Sequence, residues 1–176
     1  MKNITSKENS FAFIDSQNLN LSIKSQGWLL DFKKFRAYLS DRFSVDRAYL
    51  FVGFIKENLK LYAYLEKVGY IVIFKPILKL PNDKFKGNVD AELVLHSMIH
   101  CNNYDKAVIV SGDGDFHCLV YYFLKNNKLK RLIVPNRRRY SSLLRVFIEY
   151  ISFLNGTKDK LSKTKKKHRL GTKPFG

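Results

Sequence analysis

Acidic residues are scarce in this chain. Fifteen Asp and Glu stand against 32 Lys and Arg, a formal charge of +17 over 176 residues. A surplus of that size favours an anionic partner, nucleic acid above all, through the sum of many screened attractions. The plainer reading is a solvated basic surface, since net charge says nothing about fold. Cysteine is scarcer still. Cys101 and Cys118 are the only two, and both fall in helical patterns, which leaves no disulfide framework and fits a reducing compartment. No apolar run approaches the ~20 residues that span a bilayer. The polar stretch from Met1 to Ser10 lacks the apolar core of a signal peptide. These gaps predict a cytoplasmic protein with no membrane span. A Gly-rich phosphate loop is missing as well, and no internal repeat is visible.

What is present is enough for a core: 45% of residues are hydrophobic and 14% aromatic. Short apolar runs at 11–14, 48–52, 70–74, 107–110 and 129–134 read as strands. Helical spacing predicts helices over 18–25, from Asp31 as N-cap to about Leu39, and over 57–68, 89–101, 115–125 and 141–153. Gly69 is a natural stop for the third of these. Between Pro76 and Gly87 lies a polar loop rich in lysine. Strands alternating with helices over short connections predict an α/β fold, with a central, mainly parallel sheet covered on both faces as a three-layer α/β/α arrangement. Residues 1–10 are expected to be a flexible N-terminus, 11–155 a single domain, and 156–176 a basic disordered tail, because the apolar pattern stops there and lysines accumulate.

Four aspartates stand out against the basic background. Asp15 closes Phe-Ala-Phe-Ile-Asp, Asp113 and Asp115 follow Ala-Val-Ile-Val-Ser-Gly, and Asp90 opens a helical pattern. In parallel sheets ligands bind outside the carboxyl ends of the strands, where Asp15, Asp113 and Asp115 are expected. Carboxylates gathered there repel one another, and hard divalent cations such as Mg²⁺ prefer oxygen ligands. Taken singly, each has a structural explanation: Asp115 as a helix cap, Asp15 as an Asx turn, Asp90 as a charge matched to a helix N-terminus. One cap suffices at the Gly112-Asp113-Gly114-Asp115 turn, so Asp113 is the hardest to explain that way.

Phe13-Ile14-Asp15-Ser16-Gln17-Asn18-Leu19, Lys86-Gly87-Asn88-Val89-Asp90 and Ser111-Gly112-Asp113-Gly114-Asp115-Phe116 resemble, in that order, the three signatures of the NYN domain. More narrowly they resemble its LabA-like branch, a relative of the PIN-domain nucleases. The resemblance spans roughly Phe11 to Phe153 and implies a PIN-like fold, Mg²⁺ or Mn²⁺ as cofactor, and cleavage of RNA. It casts Asp15 as the first-strand acid, Asn18 as its polar companion, Asp90 as the acid after Lys-Gly, and Asp113 and Asp115 as the last pair. Two departures accompany it. Asn88-Val89 stands where one residue is common, and His96 stands where several relatives carry a further acid. A metal-dependent ribonuclease is the reading that follows. A non-catalytic RNA-binding or regulatory module with a degenerate metal site is the alternative, and a phosphatase or nucleotide hydrolase a third.

Basic and aromatic residues near these motifs supply a candidate RNA track. Arg137-Arg138-Arg139-Tyr140 follows the strand at 129–134, and Lys84 and Lys86 precede Asp90. Guanidinium groups bind phosphate bidentately and a tyrosine ring can stack on a base; an exposed basic loop is the simpler explanation. Glu92, His96 and His100 have a helical spacing zinc could use, with no further ligand in view. A homodimer is possible, through an apolar helix face that nothing in the sequence singles out.

Overall fold

The computed structural model describes residues 8–164 apart from 77, 80–84 and 87–88, and of 78–79 and 85–86 the backbone alone. Lys84 therefore lies outside the described residues, as does the side chain of Lys86.

Strand β1 (Ser10–Asp15) is followed by α1 (Ser16–Lys24), α2 (Phe32–Phe43), β2 (Val45–Gly53), α3 (Leu59–Lys67) and β3 (Tyr70–Lys75). A two-residue pair, β4 (Leu78–Lys79) and β5 (Phe85–Lys86), sits apart from the main sheet. Then come α4 (Asp90–Ile99), β6 (Lys106–Val110), α5 (His117–Lys125), β7 (Leu129–Val134), β8 (Ile151–Phe153) and α6 (Lys158–Leu161). The sheet runs β3-β2-β1-β6-β7-β8, and every pairing in it is parallel. The strand order reverses between β1 and β6. The α/β fold with helices on both faces is the one expected.

Alternation along β1 explains the two cores. Ala12 and Ile14 face one cluster, with Leu19, Phe35, Leu39, Leu50 and Leu65 from α1, α2, β2 and α3. Phe11 and Phe13 face the other, with Leu93, Phe116, Val120 and Phe123 from the α4 and α5 side. Period two along a strand puts Asp15 on the second face. Each fully buried Phe, Leu or Ile contributes roughly 1.5–3 kcal/mol of transfer free energy, and many such side chains, Phe13, Phe35, Phe51, Phe116 and Phe123 among them, are under 2% exposed, so both faces hold the sheet strongly. The Asp31 cap is as expected: its carboxylate accepts from the backbone N–H of Lys33 and Lys34 at 3.0 and 3.1 Å. Gly69 ends the α3 region at φ +95°, a conformation side chains rarely adopt.

Three expectations need correction. The last helix does not run to Phe153. Residues Ser142–Tyr150 form 3₁₀ turns with a non-helical break at Phe147, and Ile151–Phe153 leave them to pair with Leu132–Val134 as the sixth strand. An open edge of β7 and the β-branched Ile151 outweigh a marginal helical repeat. The expected disordered tail is folded at its start. Leu161 is 2% exposed against the first core, and Asp31 N–H donates to the Leu161 carbonyl while Lys163 N–H donates to that of Leu29. One apolar residue on a short helix found an uncovered patch beside α2. At the other end, Ser10 is a buried strand residue, and Asn9 exchanges hydrogen bonds with Asp105 through both its N–H and its carbonyl. The start of the domain is therefore tied down by β6 rather than flexible from residue 8 onward. No helix among the described residues is long and apolar enough to cross a membrane.

Candidate functional site

The reversal of strand order opens a crevice at the carboxyl ends of β1 and β6, the position at which parallel sheets take ligands. Asp15 ends β1 and caps α1: its Oδ1 accepts from Asn18 N–H at 3.0 Å. Its Oδ2 accepts from the Ser111 hydroxyl at 3.2 Å. The residue is 5% exposed. Burial pushes its carboxyl above the usual 3.8, the two hydrogen bonds pull the other way, and the charges of Asp90 and Asp113 add to the rise.

After β6 the chain turns through Ser111-Gly112-Asp113-Gly114. Ser111 Oγ accepts from Asp113 N–H, and the Asp113 carboxylate accepts from Asp115 N–H, closing a tight Asx turn into a 3₁₀ turn at Gly114–Phe116. Asp113, not Asp115, is the cap of that turn. Glycine is required at 114 by packing: a Cβ there would lie 2.9 Å from Ser141 Cβ and 3.2 Å from Leu143 Cδ1. Asp90 comes from the first turn of α4, on the same face as Asp15. One carboxylate oxygen from each of Asp90, Asp113 and Asp115 lies within 4.8 Å of the others. A single ion bound at 2.0–2.6 Å needs its oxygens about 3–5 Å apart, so this donor set fits a hard divalent cation. Asp15 lies behind the three, with both oxygens already hydrogen-bonded.

Asn18 joins the two halves of the crevice. Its Oδ1 accepts from Gly112 N–H at 2.9 Å. Its amide nitrogen makes no hydrogen bond to another described residue. Asn18 and Asp113 border two adjoining cavities. The first, about 300 Å³, is lined by Asp15, Gln17, Leu21 and Asp90; the second, about 480 Å³, by Asp115, Arg139, Tyr140 and Ser141. Arg139 and Tyr140 thus stand beside the acidic cluster. Arg138 is exposed further along the loop, and Arg137 lies over the Phe153 ring at 5.4 Å, away from both cavities' linings. Sequence reasoning missed what holds this loop. Gln26 donates to the Pro135 carbonyl, Asn155 donates to Gln26, Asn136 donates to Ser25, and the Asn155 side-chain Oδ1 accepts from Arg137 N–H. Ser141 N–H donates to the Gly112 carbonyl, latching the arginine loop to the aspartate turn.

The histidines do not form a second centre. Glu92 pairs with Lys75 at 3.0 Å, His96 packs its edge against Phe51 with Nδ1 buried, and His100 stacks on Tyr49 at 5.0 Å. Among the described residues the three aspartates are the one cluster with metal-ligand spacing.

Comparison with known proteins agrees with this architecture. The sequence profile of the NYN domain family matches residues 11–154. The chain is 30% identical over 116 residues to the low amplitude and bright protein LabA of Synechococcus elongatus, over 59% of this chain and 61% of that protein. It thus spans less than two thirds of that relative's length. Its fold is similar to the crystal structure of a protein of unknown function from Vibrio parahaemolyticus, with a TM-score of 0.72 at 23% identity, over 88% of this chain and 96% of that one.

Proposed function

Because the chain belongs to the NYN domain family, we propose that it is a metal-dependent ribonuclease hydrolysing internal phosphodiester bonds of RNA, with Mg²⁺ or Mn²⁺ as cofactor. The observation that carries the reading is the approach of the Asp90, Asp113 and Asp115 oxygens to within 4.8 Å at the strand-order reversal. Those three side chains would hold the ion. When bound, it supplies the Lewis acidity that lowers the pKa of a water and offsets charge on the leaving oxygen.

The chain's own groups do the rest. Asp15 is fixed by Asn18 and Ser111 and adds negative charge behind the ligands. The amide nitrogen of Asn18 is free to donate to a phosphate oxygen at the border of the two cavities. Arg139 draws in the RNA backbone and Tyr140 offers a ring to a base. Arg137 and Arg138 extend the basic track along the same loop, and Lys84 and Lys86, which precede Asp90 in the sequence, would add positive charge to it.

His96 favours a second reading. It stands where, by the family resemblance, several members carry a further acid, and it is packed on Phe51, so α4 brings Asp90 alone to the cluster. That composition suits a binding module that has lost turnover. One assay separates the two: labelled single-stranded RNA incubated with Mg²⁺ or Mn²⁺, wild type beside Asp113→Asn. Metal-dependent cleavage by the wild type, at least ~100-fold slower in the variant, is expected, with RNA binding retained because a repulsive charge is gone. Binding without cleavage by the wild type establishes the module instead. Equal cleavage by both proteins overturns the nuclease reading and points to a contaminant.

A further inference from the structure

The first two residues of α1 separate the acidic crevice from a cavity of different character. It lies on the opposite face of β2's carboxyl end, encloses about 420 Å³, and shares Gln17 with the acidic crevice. Leu50, Val52, Phe32 and Tyr62 are among the residues that line it. In a chain of charge +17, not one Lys, Arg, Asp or Glu among the described residues lines it. Its polar side chains are the amides of Gln17, Asn20 and Asn58 and the hydroxyls of Ser16 and Tyr62.

We propose that this cavity is a subsite for one unpaired nucleobase of the RNA bound at the aspartate cluster; the proposal rests on the ribonuclease reading above. An uncharged lining holds a neutral heterocycle and has nothing with which to hold a phosphate. The volume is within the range of small-ligand pockets and exceeds what a single ring system fills. The amides of Gln17, Asn20 and Asn58 make no side-chain hydrogen bond to another described residue, so their donors and acceptors are available. Carboxamides pair with base edges in two-bond fashion, each such pair discriminating among bases. The Tyr62 hydroxyl is already engaged, accepting from Ile55 N–H at 2.9 Å and donating to the Gly53 carbonyl at 3.2 Å. Its ring is thereby held as a fixed wall rather than a movable donor. Gln17, exposed at the shared rim, is where a strand lying across the aspartates would turn its base inward. The site would then select the nucleotide beside the cut.

The test has two arms. In the first, adenosine, guanosine, cytidine and uridine are titrated separately into metal-free protein, and the side-chain amide signals of Gln17, Asn20 and Asn58 are followed by NMR. One nucleoside is expected to shift the Asn20 and Asn58 signals more than the other three. No shift at these amides with any nucleoside, or shifts confined to Arg139 and Tyr140, overturns the proposal. In the second arm, Leu61→Trp fills the cavity from its exposed rim. Its preference among cleavage sites in a mixed-sequence RNA is expected to fall about tenfold. An unchanged preference in a folded variant overturns the proposal as well. Because the first arm needs neither metal nor cleavage, nucleoside shifts in a protein that cuts no RNA would retain the subsite and remove the nuclease reading.

Discussion

Asp15 caps α1 with one oxygen and takes the Ser111 hydroxyl on the other, yet burial raises its pKa, with the charges of Asp90 and Asp113 adding to the rise. The folded state therefore favours its protonated form more than the unfolded chain does. A raised carboxyl pKa adds stability at low pH and forfeits it as pH climbs through the folded value. In metal-free protein Asp15→Asn should raise Tm at pH 7, by a few degrees, ~3 °C, and the gain should vanish as pH falls towards the ordinary value of 3.8. Thermal melts of both proteins between pH 4 and 8, with chelator present, measure this; a gain that grows at low pH would refute it. The four aspartates were readable in the sequence because each sits at a local boundary, a strand end or a helix start. The amides that brace them were not. Asn18 reaching Gly112, or Asn155 reaching Gln26, depends on residues 94 and 129 positions apart, and nothing in an amide's own neighbourhood announces such a partner.

At the level of elements, five strands and five helices were legible, since burial on a two-sided sheet writes itself as apolar runs and amphipathic stripes. β8 was not. Leu144, Phe147, Ile148 and Ile151 repeat at helical spacing, and only the free edge of β7 turns the last of them into strand. α6 left a single apolar residue, Leu161, among lysines. That residue is 2% exposed, and the Lys34 ammonium donates to the Ser162 carbonyl at 2.9 Å beside it. Leu161→Ala should cost about 2–4 kcal/mol by loss of transfer free energy and the cavity left behind, read from urea unfolding. A cost under ~0.5 kcal/mol would mean that the segment only rests on the surface.

Across the whole molecule, charge matters more than any one pairing. Folding of 158–164 onto α2 means that a cut after Gly156 would damage the domain as well as remove its basic end. The informative cut falls after Thr164. It removes Lys165, Lys166, Lys167, Arg169 and Lys173 and leaves the described fold whole. If those side chains meet RNA phosphates, the slope of log affinity against log salt should flatten by about 0.7 for every phosphate they neutralise. Filter binding or anisotropy over a salt series gives the slope directly, and an unchanged value would show that the segment does not touch RNA.

The central place of β1 has a consequence for how the protein is made. A ribosome delivers β1, β2 and β3 early, and they can pair at once. The other edge of β1 stays bare until β6 emerges, and Asp15 meets Ser111 only across 96 positions of chain. Asp113 and Asp115 follow immediately. Until then a nascent chain displays its basic surface next to messenger and ribosomal RNA without an assembled acidic site. The order of synthesis thus leaves the cluster unassembled until about two thirds of the domain has been built.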